Sequence, residues 1–153
     1  MKNLILVIVL CLFSIASGAQ QSVRGVDHVG LTVIHLPASE QFFIDHAGFR
    51  VVGRDEQYPA VFLSNDSVVI TLWAATNSES AVRFDRKNNV GLHHLAFKVD
   101  SENALNALYE TLSKDEGVIV EFAPELAGNG PNKHMMVYEP SGNRIEFMFR
   151  AKP

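Results

Sequence analysis

Residues 25–33, GVDHVGLTV, return at residues 91–99 as GLHHLAFKV. From 25 to 91 is an offset of 66, and it pairs Gly25 with Gly91, His28 with His94, Val29 with Leu95, Leu31 with Phe97 and Val33 with Val99. Self-similarity over this distance marks a repeated supersecondary unit. A second pair agrees: VFLSNDSVVITLW (61–73) aligns with MVYEPSGNRIEFM (136–148), an offset of 75, and both read strand, turn, strand. The larger offset is absorbed by ELAGNGPNK (125–133), whose glycines and proline suit a surface loop.

Each copy reads β-α-β-β-β. In the first, a strand at 25–35 precedes PASEQFFIDHAGF (37–49), where Pro37 suits a first helical turn, Ala38 or Ser39 starts the helix and Gly48 ends it. Strands are expected near 49–54, 60–64 and 67–74. In the second, a strand at 92–99 precedes a helix with Ser101 as N-cap and Leu105, Leu108 and Leu112 at helical spacing. Strands follow near 118–123, 133–139 and 143–149, the last two joined by the turn EPSG. The polar segment 76–89, TNSESAVRFDRKNN, links the copies. The expected fold is α+β, one domain at 25–150 built from modules 25–75 and 91–150.

Composition sets the class. A chain of 153 residues, 47% hydrophobic and 20% charged, suits one domain with a genuine core. The formal charge is -4, and basic residues cluster only in RFDRKN (83–88), which argues against a nucleic-acid surface. At the N-terminus, Lys2, an apolar run from Leu4 to Phe13 and the small residues Ala16, Ser17, Gly18 and Ala19 are the three parts of a secretory signal peptide. The run falls well short of the roughly 20 residues that cross a bilayer. Residues 1–19 are therefore expected to be a cleaved signal peptide, giving a periplasmic or secreted protein with no stable membrane anchor. Cys11 is the only cysteine, so no disulfide is expected.

Neighbouring residues on a strand point to opposite faces. Val29, Leu31 and Val33, with Leu95, Phe97 and Val99, make one apolar side that should lie under the helices. His28, Gly30 and Thr32, with His94, Ala96 and Lys98, make the other, where small neighbours leave room for a cavity. His93 falls on the apolar side and reads as a hydrogen-bonded core histidine. In the last strand Arg144, Glu146 and Met148 share the non-core face, and the counterpart of Glu146 in the first copy is Thr71. A single glutamate on a polar face is ordinarily solvated. Two histidines and a glutamate at matching places of a repeat form a 2-His-1-carboxylate set, which leaves coordination positions open for substrate or water. His28, His94 and Glu146 are thus expected metal ligands, and Zn, Ni, Mn, Fe or Co all suit them as the divalent ion.

The segments VDHVGLTV, GLHHLAFKVD and VYEPSGNRIEF resemble the vicinal oxygen chelate superfamily, which includes glyoxalase I, fosfomycin- and bleomycin-resistance proteins, methylmalonyl-CoA epimerases and type I extradiol dioxygenases. The resemblance covers about residues 25–150. It implies two βαβββ modules forming a glyoxalase-like, cup-shaped mixed sheet with helices on the outer face. It also implies a divalent metal on His28, His94 and Glu146, with Glu146 catalytic, and a small-molecule substrate. The cup closes within one chain or by exchange in a homodimer. Thr71 stands where glyoxalase and epimerase patterns have Glu or Gln, so proton transfer would rest on Glu146 alone. Met136 stands where the extradiol enzymes carry a tyrosine.

The expected function is an exported, metal-dependent enzyme of glyoxalase/lyase or fosfomycin-resistance type that stabilises an enolate or alkoxide. The alternatives are a metal-free sequestering protein of bleomycin-resistance type and an extradiol-type dioxygenase. Thr71, Trp73, Val69, Met136, Tyr138 and His134 are candidates to line the cup, and Lys98 to meet an anionic substrate; Arg83 could do the same but reads first as a solvated linker charge. His35 and His46 read as structural or exposed.

Overall fold

A computed structural model describes residues 25–152, so the signal peptide read at residues 1–19 lies outside the described residues. The first module comprises β1 (His28–Val33), α1 (Leu36–Ala47), β2 (Arg50–Asp55), β3 (Ala60–Ser64) and β4 (Val69–Ala74). The second comprises β5 (Leu95–Val99), α2 (Glu102–Leu112), β6 (Ile119–Leu126), β7 (Lys133–Tyr138) and β8 (Arg144–Phe149). Each builds a four-stranded mixed sheet, ordered β1-β4-β3-β2 and β5-β8-β7-β6. The first and last strands of each module lie side by side and run parallel, the helix carries the chain from the first strand to the second at the far edge, and the remaining pairs are antiparallel.

The repeat extends to the register. Gly30 lies opposite Thr71 in one sheet and Ala96 opposite Glu146 in the other, the residues that the sequence offsets match. Alternation holds in β1, where Leu31 and Val33 are buried while His28, Gly30 and Thr32 are exposed on the opposite face. Gly48 ends α1 at φ 68°, a left-handed conformation without steric cost for glycine. Ser101 caps α2 by accepting the Ala104 N–H at 3.0 Å. No helix among the described residues is long and apolar enough to cross a membrane.

The start of α1 differs from the expectation. The helix begins at Leu36 with His35 at the N-cap, and Ser39 is a fully buried residue inside it. Its hydroxyl does not cap because it is turned onto Glu139. The head of β5 differs as well: the strand begins at Leu95, so the pleat that would carry His93 into the core does not reach it, and His93 is exposed.

One core serves both modules. Phe97 of β5 packs edge-on against Phe43 and Phe49 of the first module, with ring centroids 6.3 and 5.7 Å away, and lies 6.0 Å from Phe147 of β8. Beside it sits a polar fastening. Glu139, only 2% exposed, accepts hydrogen bonds from Ser39 Oγ at 2.5 Å, Ser141 N at 3.0 Å, and Asn143 N and Nδ2, both at 2.9 Å. The Ser141 hydroxyl then accepts the N–H groups of Ile34 and His35, both at 3.0 Å, and Asn143 Nδ2 also donates to the Thr32 carbonyl at 3.1 Å. The β7–β8 turn of one module is thereby pinned into the β1–α1 corner of the other.

Removing the buried carboxylate strips the Ser141 and Asn143 N–H groups of their acceptor and breaks the bonds from Ser39 and Asn143 Nδ2. Glu139→Ala should cost about 3–5 kcal/mol. Thermal unfolding followed by circular dichroism should show a melting temperature lower by more than about 10 °C.

Candidate functional site

The inner face of the second sheet is set by its register. Glu146 has Met136 opposite it on one side and Ala96 on the other, while His134 faces Met148 and Tyr138 faces Arg144. Ala96 adds only a methyl group beside the carboxylate. Glu146 is 6% exposed, a location that costs several kcal/mol for a charge unless partners surround it. Both oxygens have one. Glu146 Oε2 stands 3.2 Å from His94 Nε2, and Oε1 lies 2.5 Å from His134 Nδ1. The far side of the His94 ring is tied down too, since its Nδ1 lies 2.8 Å from His93 Nδ1. Partial loss of hydration and then the charge of Arg144 lower the His93 pKa from its ordinary 6.5. His93 thus braces His94 from an exposed position rather than from the core.

Next to this group lies a second polar network. Buried Arg144 grips Glu121 through Nε at 2.6 Å and Nη2 at 3.2 Å, a two-pronged contact that suits the planar guanidinium. Arg86 of the linker also reaches Glu121, at 2.9 Å, and donates to the Tyr138 hydroxyl at 2.9 Å. Glu121 and Arg86 escaped the sequence expectations. Strand β6 shifts register between Val120 and Phe122 and again before Glu125, so simple alternation cannot assign the face of Glu121.

The first sheet presents a different inner face. Thr71 Oγ1 accepts the Trp73 indole N–H at 2.8 Å, and Trp73 sits among Tyr58 and Phe62 with ring centroids 5.1 and 5.7 Å away. A Cβ at residue 30 would lie 3.2 Å from Thr71 Oγ1 and 3.6 Å from Trp73 Nε1, so Gly30 keeps this face open. His28 has a 53% exposed side chain whose Nδ1 meets Asp27 at 2.8 Å. Lys98 is exposed on β5 and borders a groove with His46, Asn65 and Ser67 of the first module. His46 is structural, bonding Asp115 at 2.8 Å. A cleft of about 400 Å³ adjoins both sheets, bordered by Gly30, Thr32, Arg83, Asn89, His94 and Arg144.

The chain therefore brings together His94, Glu146 and His134, with Met136 alongside, and holds His28, Thr71 and Trp73 on the other sheet. Among the described residues no three His, Cys, Asp or Glu side chains are arranged to hold a metal within one chain. Two of the expected ligands nonetheless have suitable spacing. Donors each about 2.0–2.2 Å from a shared ion, at tetrahedral or octahedral angles, lie about 2.8–3.6 Å apart, and the His94–Glu146 separation is 3.2 Å.

A family model described as the Glyoxalase/Bleomycin resistance protein/Dioxygenase superfamily matches residues 25–147. A metapyrocatechase from Geobacillus stearothermophilus is 30% identical over 128 residues, 81% of this chain. The match spans 36% of that enzyme's length, about a third. Among solved structures, a glyoxylase/bleomycin resistance protein/dioxygenase domain from Frankia sp. EAN1pec superposes with a TM-score of 0.69 at 24% identity, covering 86% of this chain and 95% of that one. Lactoylglutathione lyase from Agrobacterium tumefaciens superposes with a TM-score of 0.62 at 22% identity, covering 82% and 92%. At these identities the two structures speak for the fold.

The hydrogen bond from Arg144, ahead of all other causes, holds the Glu121 carboxyl below its ordinary 4.5. A pKa lowered by folding contributes stability above the unfolded value and loses it as the pH falls through the folded one. Glu121→Gln should thus be less stable than the parent at pH 7, with the gap closing well below pH 4.5. Urea unfolding of both proteins at neutral and acid pH measures it.

Proposed function

The chain belongs to the glyoxalase/bleomycin resistance protein/dioxygenase superfamily, and from that premise we propose that it is a metal-dependent enzyme acting on a small oxygenated substrate. The observation that carries this is Glu146, a buried carboxylate with one oxygen directed at His94 Nε2 and the other held by His134. In this proposal His94 and Glu146 hold a divalent ion, and His28 completes the set from the first module of a second chain. His28 occupies the place in β1 that His94 occupies before β5, and its imidazole is half-exposed. Bound there, the ion would supply Lewis-acid polarisation of substrate oxygens.

The remaining roles belong to side chains. Trp73, Tyr58 and Phe62 offer an apolar wall for the body of the substrate, and Met136 is the cross-strand neighbour of Glu146. Thr71, its hydroxyl engaged by Trp73, offers no base, so proton movement falls to Glu146. We place the reaction in the glyoxalase/lyase or fosfomycin-resistance group on these grounds, and outside the cytosol on the composition of residues 1–19.

A second reading, extradiol-type ring cleavage, draws support from the 30% identity to metapyrocatechase. Against it, buried Met136 stands where that group carries a tyrosine. Oxygen uptake with catechol and Fe²⁺ separates the two, because only the second consumes dioxygen.

Elemental analysis tests the main reading. Wild type should carry close to one divalent ion per chain, and His28→Ala, His94→Ala and Glu146→Ala should each lose most of it. Co-refolding His28→Ala with Glu146→Ala in equal amounts should restore about a quarter of the wild-type content, since half the dimers are mixed and each mixed dimer has one intact site. Wild type that stays metal-free after reconstitution would sink the proposal in favour of a metal-free binding protein. Failure of the mixture alone would overturn the two-chain site.

A further inference from the structure

We propose that His134 is a positioning residue for Glu146: its Nδ1–H holds Oε1 so that Oε2 alone is presented toward His94. This rests on the metal reading above and adds a residue outside the proposed ligand set. A glutamate side chain ends in a torsion with a broad, two-fold preference, so an untethered carboxylate swaps its oxygens and tilts freely. Here one oxygen is committed. The 2.5 Å contact from His134 Nδ1 falls on Oε1, while Oε2 lies 3.2 Å from His94 Nε2. An ionised carboxylate only accepts, so Nδ1 must carry the proton, which fixes that nitrogen as donor.

His134 is itself held in place. It lies on β7 opposite Met148, its ring centroid is 4.9 Å from that of Phe122, and its side chain is 20% exposed. It is not placed as a third ligand, because its nitrogen contacts Oε1, whereas the His94 contact is made by Oε2. The first module supplies an internal comparison. Ala60 faces Trp73 there as His134 faces Met148 in the second, and Thr71 takes the place of Glu146. The carboxylate and the histidine that holds it are thus both confined to one module.

Partners that orient a ligand from outside the coordination shell contribute about 10–100-fold in metal affinity. The test is titration of the metal-stripped full-length protein with Co²⁺, whose visible spectrum reports both binding and ligand geometry. His134→Ala should weaken Co²⁺ binding by about 10–100-fold. His134→Asn places an amide N–H near the position of Nδ1 and should recover most of that loss, whereas His134→Gln, with its amide one carbon further out, should recover less. Should the alanine variant fail to fold, the asparagine and glutamine pair carries the comparison. Wild-type affinity in His134→Ala would overturn the inference, and so would equal losses in His134→Asn and His134→Gln. Each of those results leaves wild-type binding intact and so spares the parent reading, whereas wild type that binds no Co²⁺ sinks both.

Discussion

Everything in this molecule depends on the cage around Glu139. A carboxylate has acceptor sites for about four hydrogens, and Ser39, Ser141 and Asn143 provide four donors. Because Ser39 belongs to α1 and the others to the β7–β8 turn, satisfying one buried charge fixes the relation between two modules that share no strand ladder. The phenylalanines around Phe97 supply non-directional cohesion, which alone would tolerate sliding. The directional bonds at Glu139, extended by Ser141 and Asn143 to the backbone at Thr32, Ile34 and His35, remove that freedom. Strand β8, which carries Glu146, starts directly after this turn.

The same logic operates at the candidate site. Burying Glu146 between two imidazoles fixes its orientation, and a buried polar group with every partner in place rigidifies its surroundings. The second network, Arg144 with Glu121 and Arg86, ties the linker to the floor of the second sheet through one shared carboxylate. Linker, strand end and candidate site are therefore mechanically continuous.

Much of this was legible in the sequence, for identifiable reasons. The repeat, the order of elements and the inner faces of β1, β4 and β8 follow from periodicity, and Gly48 and Ser101 act where helix-ending chemistry puts them. Two of the misreadings share a cause, for alternation is informative only inside a regular strand. His93 lies just before β5, so the pleat does not govern it, and Glu121 sits among bulges in β6. Ser39 looked like a helix start because a serine there resembles a cap, yet a tertiary partner 100 residues away claims its hydroxyl. For His28, pattern identified the face and the position, but a face pattern does not say which sheets oppose each other. His134 appeared only as a lining residue, since its bond to Glu146 runs diagonally between strands.

The pairing of Thr71 with Trp73, set against Glu146 with His134, has a consequence for how such a protein diversifies. Two copies of one unit differ in what they carry: the first inner face sets Thr71 and Trp73 beside His28, the second holds Glu146 between His94 and His134. Substitutions around Trp73 alter the first inner face without touching the Glu146 network of the second sheet, and Gly30 keeps that first face open. Duplication followed by asymmetric change thus lets the aromatic wall of one module vary while the hydrogen-bonded carboxylate of the other stays under constraint.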